Sequence, residues 1–402
     1  MEILEDETKL IERRISNGEY NFTNYKERLI LRGAHREPRQ ISIPTVRDRL
    51  CLRALCQVLH TFVPDTRGAS PHTLVTKVVK SIRNGDQSAK SFVRVDVKNF
   101  FPSISHTILH RELTHFNLES MIQDLSIRAV SGRTGSADSA NKRGIPQGLS
   151  VSGALAALYM LRFDALQINK NSNYVRYVDD ILLICDTNKA EDVLKSIGRA
   201  LKSRGLIIHK KGVEGKTEIS PVNDGVDFLG YRISVDKVSV RSSSFRRMFK
   251  NLLKIITDYR YKKDVEKLIF RINLKITGCI VDQRRRGWMM FFSHTENMSQ
   301  LAHLDAFLKD QLARVKFPST HSNQIKKFIK SYNKIKFTLE SSKYIPNFDN
   351  YDFDEKAQAI SALSSKSFQE IQTWDILTID EEFSRLISRE VHDLEQDVGN
   401  PS

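Results

Sequence analysis

The sequence predicts a mixed α+β protein built from two or three folding units, and three observations carry that reading. The chain has 402 residues, more than one core usually serves. Short strand-like runs recur at 39–43, 92–97, 174–184 and 226–240, with helix-spaced apolar stretches between them. Beyond residue 240 the pattern turns helical and basic, with fourteen Lys and Arg against four Asp and Glu over 241–290.

In chain order, Arg39-Gln40-Ile41-Ser42-Ile43 alternates and reads as a strand that Pro44 ends. Residues 48–62 place Leu52, Leu55, Leu59 and Phe62 at helical spacing, so a buried helix is expected. Val93, Val95 and Val97 share one side of a strand over 92–97. Residues 131–141, rich in Gly, Ser and Asp, read as a loop, and 153–163, rich in Ala and Leu, as a buried helix. Residues 174–184 are β-branched and aromatic but broken by Asp179-Asp180, which predicts two strands joined by a tight turn. Residues 188–204 have helical spacing, with Gly205 as the stop. Residues 226–233 and 237–240 read as a hairpin. Pro318 breaks the helical half before a basic helix at 324–336, and Thr378 with Glu381 suits a capping box for a helix ending near Gln396.

Hydrophobic residues make up 40% and charged residues 28%, a composition unlike that of disordered or membrane-embedded chains. No apolar run approaches the roughly 18 residues of a membrane span. The first seven residues are acidic and lack a signal-peptide pattern. Cys51, Cys56, Cys185 and Cys279 are scattered, which argues against a disulfide scaffold or zinc ribbon and for a reducing cytoplasm. The net charge is +15 but uneven: residues 344–402 hold 13 acidic and 4 basic side chains, leaving +24 on residues 1–343. So positive a body points to a polyanion, nucleic acid first, because each phosphate contact releases counterions; charge kept for solubility is the plainer alternative.

The chemistry-bearing constellation is three carboxylates on strands. Asp96 ends an extended run, and Asp179 and Asp180 sit at the tip of the expected hairpin. Adjacent like charges there repel, and a divalent cation would remove the conflict. Mg²⁺ is held by one or two carboxylates plus substrate phosphates, and two such ions ~4 Å apart clamp an in-line phosphoryl transfer. An Asp-rich turn is the bland alternative for Asp179-Asp180 taken alone.

The order Phe92-Val93-Arg94-Val95-Asp96-Val97-Lys98-Asn99-Phe100-Phe101, Gly144-Ile145-Pro146-Gln147-Gly148-Leu149-Ser150, Tyr177-Val178-Asp179-Asp180 and Phe228-Leu229-Gly230-Tyr231 resembles the reverse transcriptases, close to the bacterial retron and group II intron branch. The resemblance spans roughly residues 20–240. It implies a right-hand polymerase: fingers over 1–91, a palm over 92–240 with a small antiparallel, ferredoxin-like sheet and an interleaved fingers segment near 107–143, a helical basic thumb over 241–318, and a helical extension over 319–402 that is acidic from 344.

Carried over position by position, the resemblance makes Asp96, Asp179 and Asp180 catalytic and, with the Val97 carbonyl, holders of two Mg²⁺ ions, for which Mn²⁺ can substitute. Phe101 would lie under the incoming sugar and exclude a 2′-hydroxyl. Arg39 would reach the nucleotide phosphates; Arg47 and Arg49 of the same segment would share that role or else be structural partners of Asp48. Gln147, with Gly144, Pro146 and Gly148, would pack against template and new base pair, beside Tyr177. Phe228, Leu229 and Gly230 would grip the primer end. Lys216 would serve the leaving pyrophosphate, with Lys210 and Lys211 as rivals, and His209 stands where the family usually has asparagine. A phosphate-cradling loop at 212–217 is rejected because Lys210 occupies a required glycine position. The thumb, with Trp288, Phe291 and Phe292, would follow a duplex minor groove and hold the backbone through Arg284, Arg285 and Arg286, or else present a solvated helix face; Lys326, Lys327 and Lys330 are similar.

The implied activity is RNA-directed DNA synthesis from deoxynucleoside triphosphates. No zinc-ligand set, ribonuclease H or integrase extension is evident. The retron Asn-Ala-x-x-His sequence is missing, and Ile276-Thr277-Gly278 only approximates Val-Thr-Gly. By elimination the chain resembles the antiphage defence-associated groups of the bacterial cytoplasm, with a dedicated noncoding RNA, and with the acidic extension docked on a basic surface of the same chain, a second copy or a partner protein. Untemplated or protein-primed synthesis, RNA polymerisation and a catalytically silent RNA scaffold are the alternatives.

Overall fold

The computed structural model describes residues 2–31, 38–84, 88–136, 139–171, 173–213, 216–364 and 366–398. The chain divides into two compact units, Met1–Asp224 and Gly225–Ser402. The division therefore groups the 226–240 strands with the helical half, and the acidic extension with the basic helices.

The first unit opens with an antiparallel ribbon of β1 (Lys26–Ile30) and β2 (Arg39–Ile43). Its central sheet is antiparallel. β3 (Lys90–Lys98) pairs along one edge with β5 (Asp180–Asp186), which pairs in turn with β4 (Val175–Tyr177). Along the other edge β3 pairs with β6 (Ile207–Ile208) at residues 97–98 and with β7 (Glu218–Pro221) at residues 91–94. Side chains alternate across a strand, so the sheet has two distinct faces. Val93, Val95 and Val97 with Ile181 and Leu183 join one core with Leu52, Leu109, Ala129, Leu155, Leu158 and Ile197 from five helices. The other face carries Phe92, Arg94 and Asp96 of β3 beside Asp180 and Leu182 of β5.

The helix Val46–Phe62 starts two residues before the expected position because Thr45 caps it, its hydroxyl accepting from the Asp48 N–H. Asp48 does not pair with Arg47 or Arg49. It is buried and accepts from the Tyr20 hydroxyl (2.9 Å), the Thr23 N–H (3.1 Å) and the Thr23 hydroxyl, while Arg47 lies over the Tyr20 ring. The expected loop at 131–141 begins one residue late, since the helix Ser120–Ser131 runs into it; residues 137–138 lie outside the described residues, as do Glu214 and Gly215 of the rejected phosphate loop.

The second unit begins with a three-stranded meander in place of one hairpin: β8 (Val226–Phe228), β9 (Tyr231–Ile233) and β10 (Val238–Val240). Helices Ser242–Lys262 and Val265–Thr277 follow, then a hairpin of β11 (Cys279–Val281) and β12 (Arg284–Arg286). The Arg284–Arg286 triplet thus lies on a strand, not a helix. Trp288 and Phe292 are fully buried and serve the core. Helices Met298–Arg314, Phe328–Phe337, Phe353–Leu363 and Ile376–Val398 complete the unit. Asp375, not Thr378, caps the last of these, its carboxylate accepting from the Thr378 N–H (3.0 Å) and hydroxyl (2.6 Å).

This last helix is amphipathic. Ile379, Phe383, Ile387 and Leu394 pack with Phe348, Ile360, Leu363 and Ile371. Its acids meet basic side chains of the same unit. Arg271 pairs with Glu390 (3.2 Å) and Asp393 (3.7 Å), and Arg286 with Glu395. Lys275 donates to Asp397 (2.6 Å) and to the Asp393 carbonyl (3.0 Å), and Asn251 donates to the other Asp397 oxygen (2.6 Å). The Lys275 and Asp397 side chains are only 9% and 3% exposed. Removing one member of such a pair strands a buried charge. Lys275→Ala is expected to cost about 3 kcal/mol in urea unfolding, and Lys275→Met with Asp397→Leu to recover most of it. Both tryptophans, Trp288 and Trp374, lie in this unit and give the fluorescence signal.

Candidate active site

The register of β3 on β5 sets Asp96 opposite Asp180. Asp179 lies in the two-residue turn between β4 and β5, where Tyr177 pairs with Asp180. Tyr177 is half-buried. Val178, the first turn residue, has φ +53°, a left-handed value that a β-branched residue rarely adopts. The turn is braced on both sides. The Val97 N–H donates to the Asp179 carbonyl (3.3 Å). Arg176 donates to the Val178 carbonyl (2.9 Å) and holds Asp164 of the helix Ser152–Lys170 (2.8 and 2.5 Å). A strained turn thereby sets Asp179 close enough for the Asp96 charge to act on its carboxyl.

Each acid has a different electrostatic setting. Asp96 is buried, and the Lys216 ammonium sits on both its oxygens (3.1 and 3.0 Å). His209 lies 3.2 Å from Asp96 Oδ1, and its N–H donates to the Asp96 carbonyl (2.9 Å). Burial pushes the His209 imidazole below its usual range, partly offset by the Asp96 charge. Asp180 faces Arg94, whose Nε and Nη2 donate to its two oxygens (3.0 and 3.1 Å); the two side chains are 4% and 1% exposed. Asp179 has no such cation. Burial, aided by the charges of Asp96 and Asp180, pushes its carboxyl up to about 6.

This donor set accommodates a hard cation in a particular way. Among the described residues, no three His, Cys, Asp or Glu side chains form a metal cage. Asp180 is turned onto Arg94, so the three acids expected to hold metal leave two, Asp96 and Asp179. Two carboxylates are what Mg²⁺ takes from a protein when substrate phosphates complete its shell. A cation, the Lys216 ammonium, already rests on Asp96. Lys211 pairs instead with Glu191.

The nucleotide-facing candidates are joined to this centre by backbone. Asn99, in the left-handed region at φ 44°, turns the chain out of β3 into the short helix Phe100–Ser103. Phe101 is half-buried, edge-on to Phe100. Its carbonyl accepts from the Ile145 N–H (2.9 Å). Gly144, at φ +87°, lies so close to the Pro102 carbonyl that a Cβ would fall 2.8 Å from its oxygen. Gly148, at φ +106°, is equally tight against Ile41 and the Ser42 carbonyl, and the Ser42 N–H donates to the Gln147 carbonyl (2.7 Å). The Pro146 carbonyl accepts from the Ser152 hydroxyl (2.5 Å), fixing the next helix. Arg39, half-exposed at the start of β2, belongs to the strand held by this loop. Asp96, Val97, Phe101, Gly144–Gly148 and β2 are therefore neighbours.

Other expected residues are placed differently. Phe228, Leu229 and Gly230 are buried along with Tyr231, which packs on Phe291 and Phe292, so the Phe228 and Leu229 side chains offer no surface to a primer. Arg284 and Arg285 are exposed, whereas Arg286 is paired with Glu395. Lys326 is a half-buried donor to the Tyr344 carbonyl (2.6 Å), with its ammonium pushed down to about 8 by burial. Sequence reasoning missed Arg94 and the Arg176–Asp164 brace. For Arg94 a signal existed: it stands two residues before Asp96, hence on the same strand face.

Residues 30–233, half of the chain, match the reverse transcriptase (RNA-dependent DNA polymerase) family. Protein YkfC of Escherichia coli (strain K12) is 21% identical over 243 residues, covering 48% of this chain and 63% of that protein, so the chain spans less than two thirds of this curated relative. Among solved structures, telomerase from Candida albicans bound to a fragment of telomeric RNA aligns over 90% of this chain and 68% of its own, at 15% identity and a TM-score of 0.46. Apo telomerase from Candida tropicalis aligns over 95% and 74%, at 13% identity and a TM-score of 0.41. No helix among the described residues is long and apolar enough to cross a membrane. With residues 30–233 matching that family, and with Asp96 and Asp180 paired across β3 and β5 and Asp179 in the adjoining turn, the chain belongs to the reverse transcriptase family.

Proposed function

We propose that the chain is an RNA-directed DNA polymerase that adds deoxynucleotides to a primer 3′-hydroxyl at Asp96 and Asp179. The observation that carries this reading is the Asp96 carboxylate under the Lys216 ammonium, with the Asp179 carboxyl within reach of both charges, on the segment that leads to Phe101 and the Gly144–Gly148 loop. Asp96 and Asp179 would hold Mg²⁺, with Mn²⁺ as a substitute; two such ions, when bound, acidify the attacking hydroxyl and stabilise charge on the transferring phosphate. Lys216 is 37% exposed and moves to the pyrophosphate as the triphosphate arrives. Phe101 stands under the sugar and rejects a 2′-hydroxyl. Gln147, with both donor and acceptor, lies along the template side of the new pair. The exposed Arg284 and Arg285 hold nucleic-acid backbone.

The template we propose is a dedicated noncoding RNA and the setting is bacterial antiphage defence, on the strength of the resemblance to compact defence-associated enzymes. Sequencing the nucleic acid that co-purifies tests the first. Protection against phage that survives Asp96→Asn with Asp179→Asn would instead identify a silent RNA-binding scaffold.

Primer extension on an RNA template tests the catalytic reading. Asp96→Asn and Asp179→Asn are each expected to lower the rate about a thousandfold, the several kcal/mol that a bound metal supplies. Chelation should abolish synthesis, and added Mg²⁺ restore it. Phe101→Ala should raise ribonucleotide incorporation relative to deoxynucleotide about tenfold with little loss of deoxynucleotide use. Unchanged sugar selectivity would remove Phe101 from the site.

A further inference from the structure

We infer that Arg94 withdraws Asp180 from the metal-binding set and uses it to pin the Asp179 turn to β3, so that cations are held by Asp96 and Asp179 alone. The inference rests on the reading of those two acids as metal carboxylates. It begins from register. Arg94 and Asp96 lie on one face of β3, and Asp180 is directly across from Asp96 on β5. From there the Asp180 carboxylate reaches back along the sheet to Arg94, and both its oxygens accept from the guanidinium at 3.0 and 3.1 Å. A planar fork meeting a carboxylate in this way is the strongest ion-pair geometry available to side chains.

The pair cannot exchange partners cheaply. Both side chains are almost wholly out of water. If Asp180 swung to a metal, the guanidinium would be left charged inside the sheet, a loss comparable to breaking any buried pair. Of the other acids whose charge reaches it, Glu218 is 4.0 Å from Nη1 and 40% exposed, too distant and too solvated to replace the fork, and Asp96 already holds Lys216. Lys216 on Asp96 is the opposite case, since a half-exposed ammonium on a flexible stem can leave for water. The two cations therefore do different work: Lys216 yields its place, and Arg94 keeps it. Arg94 is a positioning residue. It fixes the first residue of β5, and through it the preceding Asp179, while lowering the negative charge presented to metal by one.

Direct Mn²⁺ titration of the full chain without nucleotide or RNA, followed by the loss of the free-ion paramagnetic resonance signal, tests this. Asp180→Asn is expected to bind Mn²⁺ within about threefold of the unaltered chain, whereas Asp96→Asn and Asp179→Asn weaken binding about tenfold or more. Arg94→Met frees Asp180 as a third ligand and should tighten binding about tenfold, a change that loss of structural support would not produce; Arg94→Met with Asp180→Asn should return it to the starting value. A loss with Asp180→Asn equal to that with Asp179→Asn overturns the inference, as does a folded Arg94→Met chain with unaltered affinity. Should Asp180→Asn fold poorly with Arg94 stranded, the double variant carries the same comparison, since both charges leave together. Unweakened binding in Asp96→Asn and Asp179→Asn would instead remove the underlying metal reading.

Discussion

The first unit's site depends on the register between β3 and β5. Carboxylates directly opposite on neighbouring strands repel, so the acids do not choose this pairing. The apolar face does. Val93, Val95 and Val97 with Ile181 and Leu183 are all buried. Each contributes about 1.5–3 kcal/mol by leaving water. A slip of one residue between the strands would turn one strand's share of them to the other face. Their sum exceeds the few kcal/mol of repulsion between close, partly solvated carboxylates. The hydrophobic side of the sheet thus holds a charge cluster together on the side where chemistry is possible.

Three acids then meet two cations. Arg94 answers Asp180, Lys216 answers Asp96, and Asp179 is left without one at the tip of a strained turn. Burial, aided by the charges of Asp96 and Asp180, drives the Asp179 carboxyl upward, and the Lys216 charge offsets this only in part. The site is an unbalanced one, and the imbalance sits at the atoms that a hard cation would neutralise. The two ion pairs differ in depth: Arg94 and Asp180 lie inside the sheet, whereas the Lys216 ammonium on Asp96 reaches water.

Much of this was legible in the sequence because it is local. The β3 alternation, the broken apolar run at Asp179-Asp180, the helices of the first unit and the motif order all depend on neighbours within a few residues. What escaped depends on distant partners. Arg94 reaches Asp180 across 86 positions. Asp48 is satisfied by Tyr20 and Thr23, well upstream of the arginines beside it. The hairpin that carries Arg284–Arg286 has Asp282 and Gln283 at its turn, both with positive φ and neither a glycine. That turn is stabilised by Asp349, whose carboxylate accepts from both N–H groups at 2.7 and 2.8 Å. The local turn signal is a single Asp at 282 with no glycine beside it, weaker than the basic run around it, so a basic helix is the natural expectation. Phe228 and Leu229 were misplaced for a related reason: a motif position says where a backbone turn lies, not whether its side chains face water.

The Gly144–Gly148 loop joins the β1–β2 ribbon to the segment that follows β3. Its links on both sides are made by backbone: Phe101 carbonyl to Ile145 N–H on one side, Gln147 carbonyl to Ser42 N–H on the other. Both glycines are at positive φ and in contact with another segment's carbonyl, so an added methyl group would meet strain and a clash together. Side-chain contacts can adjust by rotation, but backbone contacts of this kind transmit displacement directly. Any movement of β2, and with it Arg39, therefore reaches Gln147 and the segment bearing Phe101.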